Sequence, residues 1–147
     1  MANGKLAALA VLVILLHASA HCAAVVRASR KVDGGGDGGT PAVMTENGFE
    51  RGGSGGGPAE CDGKFHSDKD LLVALSTVWY AGGRRCFHKI RITSAQTGRS
   101  VEATVIDECD SRGGRCKNNI VDTSPAVWQA LGLDINIGEV PVTWSDV

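Results

Sequence analysis

Lys89-Ile-Arg-Ile-Thr93 and, beyond the turn signal Thr97-Gly98, Val101-Glu-Ala-Thr-Val105 decide the fold class. Apolar and polar residues alternate in both stretches, the period of a strand with one buried and one wet face. The short turn between them predicts an antiparallel hairpin whose cations face water. Toward the C-terminus, Asn119-Ile-Val-Asp122 predicts a short strand. Ser124-Pro125 then opens a helix through Val127, Trp128 and Leu131 that stops at Gly132, because proline suits the first helical position and glycine the residue past the end. Val140, Val142 and Trp144 alternate as a last strand. Toward the N-terminus, Ser67 and Asp70 resemble a capping box, and Leu71, Leu72, Leu75, Val78 and Trp79 follow at helical spacing up to Gly82-Gly83, which predicts a helix. Short strands with a wet face, interrupted by two helices, suit a small β-barrel better than a βαβ array.

Composition sets the limits of this domain. The chain has 147 residues, enough for one ordinary domain, and 15 Lys+Arg against 16 Asp+Glu. So small a net charge argues against a nucleic-acid binder or a polybasic membrane ligand. Eleven of the 20 glycines fall between Gly34 and Gly57. Those up to about Gly39 belong to a charged segment with little apolar surface, which predicts a flexible arm over residues 25–39. Gly52 to Gly57 sit between an apolar stretch and Cys61, which predicts a surface loop tied down on both sides. No Lys-Ser/Thr pair follows these glycines, so they do not form a phosphate-cradling loop.

The N-terminus carries Lys5 before an unbroken apolar run from Leu6 to Leu16 and then small residues. This is the layout of a secretory signal peptide and too short for a membrane span. Cleavage fits after Ala20 or after Ala24. The later site removes Cys22 and leaves four cysteines, an even set suited to two disulfides in an oxidising compartment. Cys61, Cys86, Cys109 and Cys116 allow three pairings. Their spacing contains no C-x-x-C pair, so neither zinc nor another metal is expected. His66 and His88 are expected as surface imidazoles. Charge is segregated along the chain: Arg84, Arg85, Lys89 and Arg91 cluster, Arg112, Arg115 and Lys117 follow, and beyond Lys117 there are acidic residues and no Lys or Arg. A basic side of this kind steers an acidic partner, either a protein or a pectin-like acidic polysaccharide.

Six ordered motifs carry a resemblance: Pro41-Ala-Val-Met-Thr-Glu-Asn-Gly-Phe-Glu50, Gly56-Gly-Pro-Ala-Glu-Cys-Asp-Gly63, Ala74-Leu-Ser-Thr77, Asp107-Glu-Cys-Asp-Ser111, Asn118-Asn-Ile-Val-Asp122 and Thr143-Trp-Ser-Asp146. Together they resemble the kiwellin family of plant ripening-related proteins, over residues 40–147. More distantly the chain is similar to barwins and expansins. The resemblance implies a mainly β fold: a six-stranded double-psi β-barrel with short flanking helices, stapled by disulfides, in a secreted apoplastic plant protein of ripening or defence. Similarity to expansins implies the pairs Cys61–Cys86 and Cys109–Cys116, although the loop within the second pair is shorter than in typical kiwellins.

Some kiwellins bind secreted pathogen proteins. The resemblance therefore implies a monomeric, non-enzymatic binding module without cofactor, metal, nucleic acid or membrane, whose partner is a secreted protein. Arg84, Arg85, Lys89, Arg91, Arg112 and Arg115 are the candidate contact residues, with Tyr80 as a stacking surface. The alternative is an expansin-like protein that binds or modifies wall polysaccharide through Asp107 and Asp122. These positions match the groove carboxylates of that group, although Ile-Val-Asp here replaces its His-Phe-Asp. Two carboxylates across a groove are what acid/base cleavage of a glycosidic bond requires. Against this stands an ordinary role for both as acceptors of backbone N–H groups at strand ends.

Overall fold

The computed structural model describes residues 38–147. The expected signal peptide (1–24), Cys22 and most of the expected arm (25–39) lie outside them.

Six strands close into a ring: β1 (Thr40–Glu46), β2 (Leu72–Ser76), β3 (Lys89–Ser94), β4 (Ser100–Cys109), β5 (Ile120–Thr123) and β6 (Val140–Asp146), in the order β1-β5-β2-β4-β3-β6 and back to β1. The β1·β5 and β2·β4 pairs are parallel and the other four antiparallel. Alternation sends Met44, Val73, Leu75, Ile90, Ile92, Val105, Val121, Val140 and Val142 into one buried cluster. A smaller cluster of Phe49, Ala59, Leu72, Ala74 and Ile106 packs outside β2 and β4. Closure removes the exposed strand edges that would otherwise invite aggregation.

The expected hairpin forms between β3 and β4, with Ile90 opposite Ala103 and Ile92 opposite Val101. Its second strand extends past Val105 to Cys109. The expected helix is α2 (Pro125–Leu131), with proline in its first turn and Gly132 left-handed at its end. Ser124 does not cap this helix. Its buried hydroxyl donates to the Asp70 carbonyl at 2.7 Å and accepts the Leu72 N–H at 3.2 Å, bolting the entry of α2 to the start of β2.

The helix expected over Ser67 to Trp79 is corrected. Leu72–Ser76 is strand β2, and a single turn of helix follows as α1 (Thr77–Tyr80). All five β2 residues are buried because β4 and β5 flank the strand and clusters cover both faces. A strand buried on both faces is a continuous apolar run, and periodicity does not separate it from a buried helix. Ser67 and Asp70 form a turn, and the Asp68 carboxylate accepts the Phe49 N–H at 2.6 Å. Strand β1 was not expected. Its Pro41 precedes the point, Val43, where β5 joins, a place where proline is tolerated in a sheet.

The glycine-rich loop is tied down as expected. A Cβ on Gly53 or Gly55 would meet the Gly48 carbonyl oxygen at 2.8 or 2.7 Å, so this close approach of backbone to backbone requires glycine.

Candidate functional site

Parallel and antiparallel pairing places four residues in one row across the outside of the ring. Thr45 on β1 is opposite Asp122 on β5, Asp122 is opposite Ala74 on β2, and Ala74 is opposite Asp107 on β4. The two aspartates are therefore two strands apart, about 10 Å at the backbone. A bulge puts Asp107 in this row. Val73 pairs with Val105 but Ala74 pairs with Asp107, so Ile106 is an extra residue on β4. Without it, alternation from buried Val105 would send Asp107 into the core. Bulges re-aim side chains in this way beside functional sites.

The two carboxylates have different surroundings. Asp107 Oδ1 accepts the backbone N–H of Glu60 at 2.9 Å and of Glu108 at 2.8 Å. It stitches the loop bearing Cys61 onto β4. Burial raises its pKa above the usual carboxylate range, and the two N–H bonds partly offset that rise. Asp122 Oδ1 accepts the Thr45 hydroxyl at 2.6 Å, and its Oδ2 lies 3.7 Å from Cys109 Sγ. Burial pushes its pKa up to about 6. The Thr45 bond opposes this, while Glu46 and Asp107 add negative charge. Asp122 lies in a recess of about 250 Å³ with Thr45, Glu46, Arg115 and Glu139.

The disulfides join Cys61 to Cys86 and Cys109 to Cys116. The second closes a short loop beside Asp122. The loop's first residues are held by α1: the Ser111 N–H donates to Thr77 Oγ1 at 3.0 Å and the Thr77 N–H to Ser111 Oγ at 3.3 Å. The motifs Ala74–Thr77 and Asp107–Ser111 are thus two halves of one mount. From it Arg112 faces a cavity of about 330 Å³ shared with Glu60, Glu108 and Asp110, and Arg115 faces the Asp122 recess. Both arginines are exposed and form no ion pair among the described residues.

The remaining cations are divided. Arg84 is exposed. Arg85 is held in a clasp: it forms two bonds to Asp146 at 2.9 and 3.0 Å, donates to the Trp79 carbonyl at 2.6 Å and lies over the Trp144 ring at 5.2 Å. Its guanidinium is therefore engaged inside the molecule rather than displayed to a partner. Lys89 and Arg91 share one carboxylate, Glu102, at 3.9 and 3.0 Å, and such exposed pairs contribute little to stability. Tyr80 requires a correction. It is 6% exposed, packed in the main core with its hydroxyl 3.4 Å from Cys86 Sγ, so it presents no face to a sugar or a partner. Burial raises its phenol pKa.

Two residues were not anticipated. Thr45 meets Asp122 through a pairing of strands that are distant in sequence, and no local signal marks it. Phe87 is 57% exposed with φ +66°, a strained conformation for a bulky residue that costs about 1–3 kcal/mol. Among the described residues no group of three or more His, Cys, Asp or Glu is arranged to hold a metal ion, and no helix is long and apolar enough to cross a membrane.

Residues 27–147 match the family model described as Kiwellin-1. The chain is 59% identical to ripening-related protein 6 of Oryza sativa subsp. japonica, with 99% of each chain covered. It is 56% identical to kiwellin of Actinidia chinensis var. chinensis over 72% of this chain and 54% of that one, so it spans about half the length of that relative. Among solved structures, an expansin of Clavibacter michiganensis superimposes with a TM-score of 0.58 at 25% identity, covering 74% of this chain and 50% of that one.

Proposed function

The chain belongs to the kiwellin family of ripening-related proteins, and on that premise we propose that it works outside the cell as a non-enzymatic binding module for a secreted protein, such as one released by a pathogen. One observation carries this reading. The Cys109–Cys116 disulfide and the Thr77–Ser111 bonds pin a short loop that displays Arg112 and Arg115 without ion-pair partners among the described residues. A rigid mount lowers the entropy lost on binding, and the two exposed guanidinium groups offer charge-assisted hydrogen bonds to carboxylates of a partner. Secretion rests on the apolar run Leu6–Leu16. The finer description of the ring as a double-psi barrel is supported by its two parallel pairs and by the likeness to an expansin.

Catalysis fits the aspartates less well. Cleavage of a glycosidic bond needs one carboxyl group free to give a proton and another free to activate water or attack. Here one oxygen of Asp107 is occupied by two backbone N–H groups. The raised pKa of Asp122 is the observation that favours the wall-acting alternative. Incubating the purified protein with wall polysaccharides separates the two readings. We expect neither reducing-sugar release nor weakening of wall specimens. Release that Asp122→Asn abolishes would replace the binding reading with an enzymatic one.

A further inference from the structure

Phe87 borders a groove of about 620 Å³ that shares no lining residue with the aspartate recess. That volume falls within the range of small-ligand clefts. Leu72 and Ile106 form its floor, Leu71 and Phe87 are its exposed apolar walls, and Lys69 and Lys89 stand on its rim. Of the three phenylalanines, Phe49 is buried and Phe65 lies under the Arg51 guanidinium at 4.4 Å, which leaves Phe87 as the aromatic face presented to solvent.

That face is held rigidly. The preceding residue is bridged to Cys61, the Phe87 N–H donates to the Val105 carbonyl at 2.7 Å, and the His88 N–H donates to the Arg85 carbonyl at 3.0 Å. A strained conformation persists where its surroundings over-determine it, and such positions concentrate at ligand clamps.

We propose that this groove is a second binding site, for an oligosaccharide that carries carboxylates. A pyranose ring has C–H faces and a rim of polar groups. Phe87 and the apolar floor match the faces, while Thr104, Asp70 and the two lysines match the rim. The charge balance selects an acidic sugar over a neutral one. Of the two carboxylates in the lining, Glu102 is held at 3.0 Å by Arg91, which stands outside the groove, and Lys69 forms no ion pair among the described residues, so Lys69 and Lys89 face one uncommitted carboxylate, Asp70. This site does not depend on the arginine loop, and either reading stands or falls without the other.

Titration of the full secreted chain, followed by backbone amide resonances, tests it. The probes are a galacturonic acid oligomer, the neutral cello-oligosaccharide of equal length and a hexaglutamate peptide. The acidic sugar is expected to shift residues 69–72 and 87–89 and to bind about tenfold tighter than the neutral one. Phe87→Ala is expected to weaken it about tenfold and Phe87→Trp to retain it. Lys69→Ala with Lys89→Ala is expected to remove its salt dependence. Unchanged resonances of the ring strands certify that each variant is folded. The proposal is overturned if no sugar shifts these residues, if Phe87→Ala binds as the parent does, or if the neutral sugar or the peptide binds as tightly as the acidic sugar.

Discussion

Asp122 couples the stability of the domain to pH. Its pKa rises from 3.8 to about 6 through burial, so the folded chain holds this proton more tightly than the unfolded chain. Stability therefore falls as pH rises from about 4 to about 6, by up to about 3 kcal/mol, and stays at the lower level above that. Asp107 shifts in the same direction, whereas Asp146, held low by Arg85, loses its contribution only at more acidic pH. Asp122→Asn keeps the shape and the acceptor for Thr45 but not the charge. It should flatten the urea midpoint between pH 4 and pH 7 and raise stability at pH 7 by about 1–3 kcal/mol; a profile parallel to the parent's would contradict the burial account. Similarity to expansins selected Asp107 and Asp122, but did not distinguish their roles. That difference depends on the bulge at Ile106 and on Thr45 from β1, neither of which has a local signature. The same limit explains Tyr80: a tyrosine at the end of a helical turn looks exposed until the Cys61–Cys86 disulfide folds against it.

Elements with one wet face were legible and those covered on both sides were not. The β3–β4 hairpin and α2 could be read from alternation and from Pro125 and Gly132, because each has solvent on one side. Strand β2 could not, since its neighbours bury both faces and leave a run of leucine, valine and alanine that mimics helical spacing. The glycine loop gives a paired prediction at this scale. Gly55→Ala drives a methyl group against the Gly48 carbonyl and the Asn47 side chain, whereas Gly57 has nothing within 4 Å. Thermal unfolding should show a loss of about 2 kcal/mol or more for Gly55→Ala and less than about 0.5 kcal/mol for Gly57→Ala. Gly132→Ala should cost about 1 kcal/mol, because its left-handed cap disfavours a side chain. Replacing Cys109 and Cys116 by serine should cost about 2.5 kcal/mol on chain-entropy grounds, while the Cys61–Cys86 bridge, closing a longer loop, should be worth about 3.5 kcal/mol.

At the scale of the whole molecule, the ring is a rigid body that separates packing from display. Its interior is closed by aliphatic residues and by Trp128 and Trp144, the aspartates lie on the outside of strands β4 and β5, and Phe87, Arg112 and Arg115 sit on loops clamped by the two disulfides. The basic side seen along the sequence proves heterogeneous in space. Arg85 is a structural clasp, Lys89 and Arg91 share Glu102, and Arg112 and Arg115 stand on the pinned loop. Charge sequence alone cannot sort these, because the partners Asp146 and Glu102 come from other strands. We propose that this loop recognises an acidic secreted protein. It is tested most directly by capture from the apoplastic fluid of infected tissue with the parent chain, Arg112→Glu/Arg115→Glu and Asp122→Asn. One specific partner is expected to be bound by the parent and by Asp122→Asn and lost by the charge-reversed loop, with salt weakening the parent complex. Equal capture by the charge-reversed loop and the parent would contradict it.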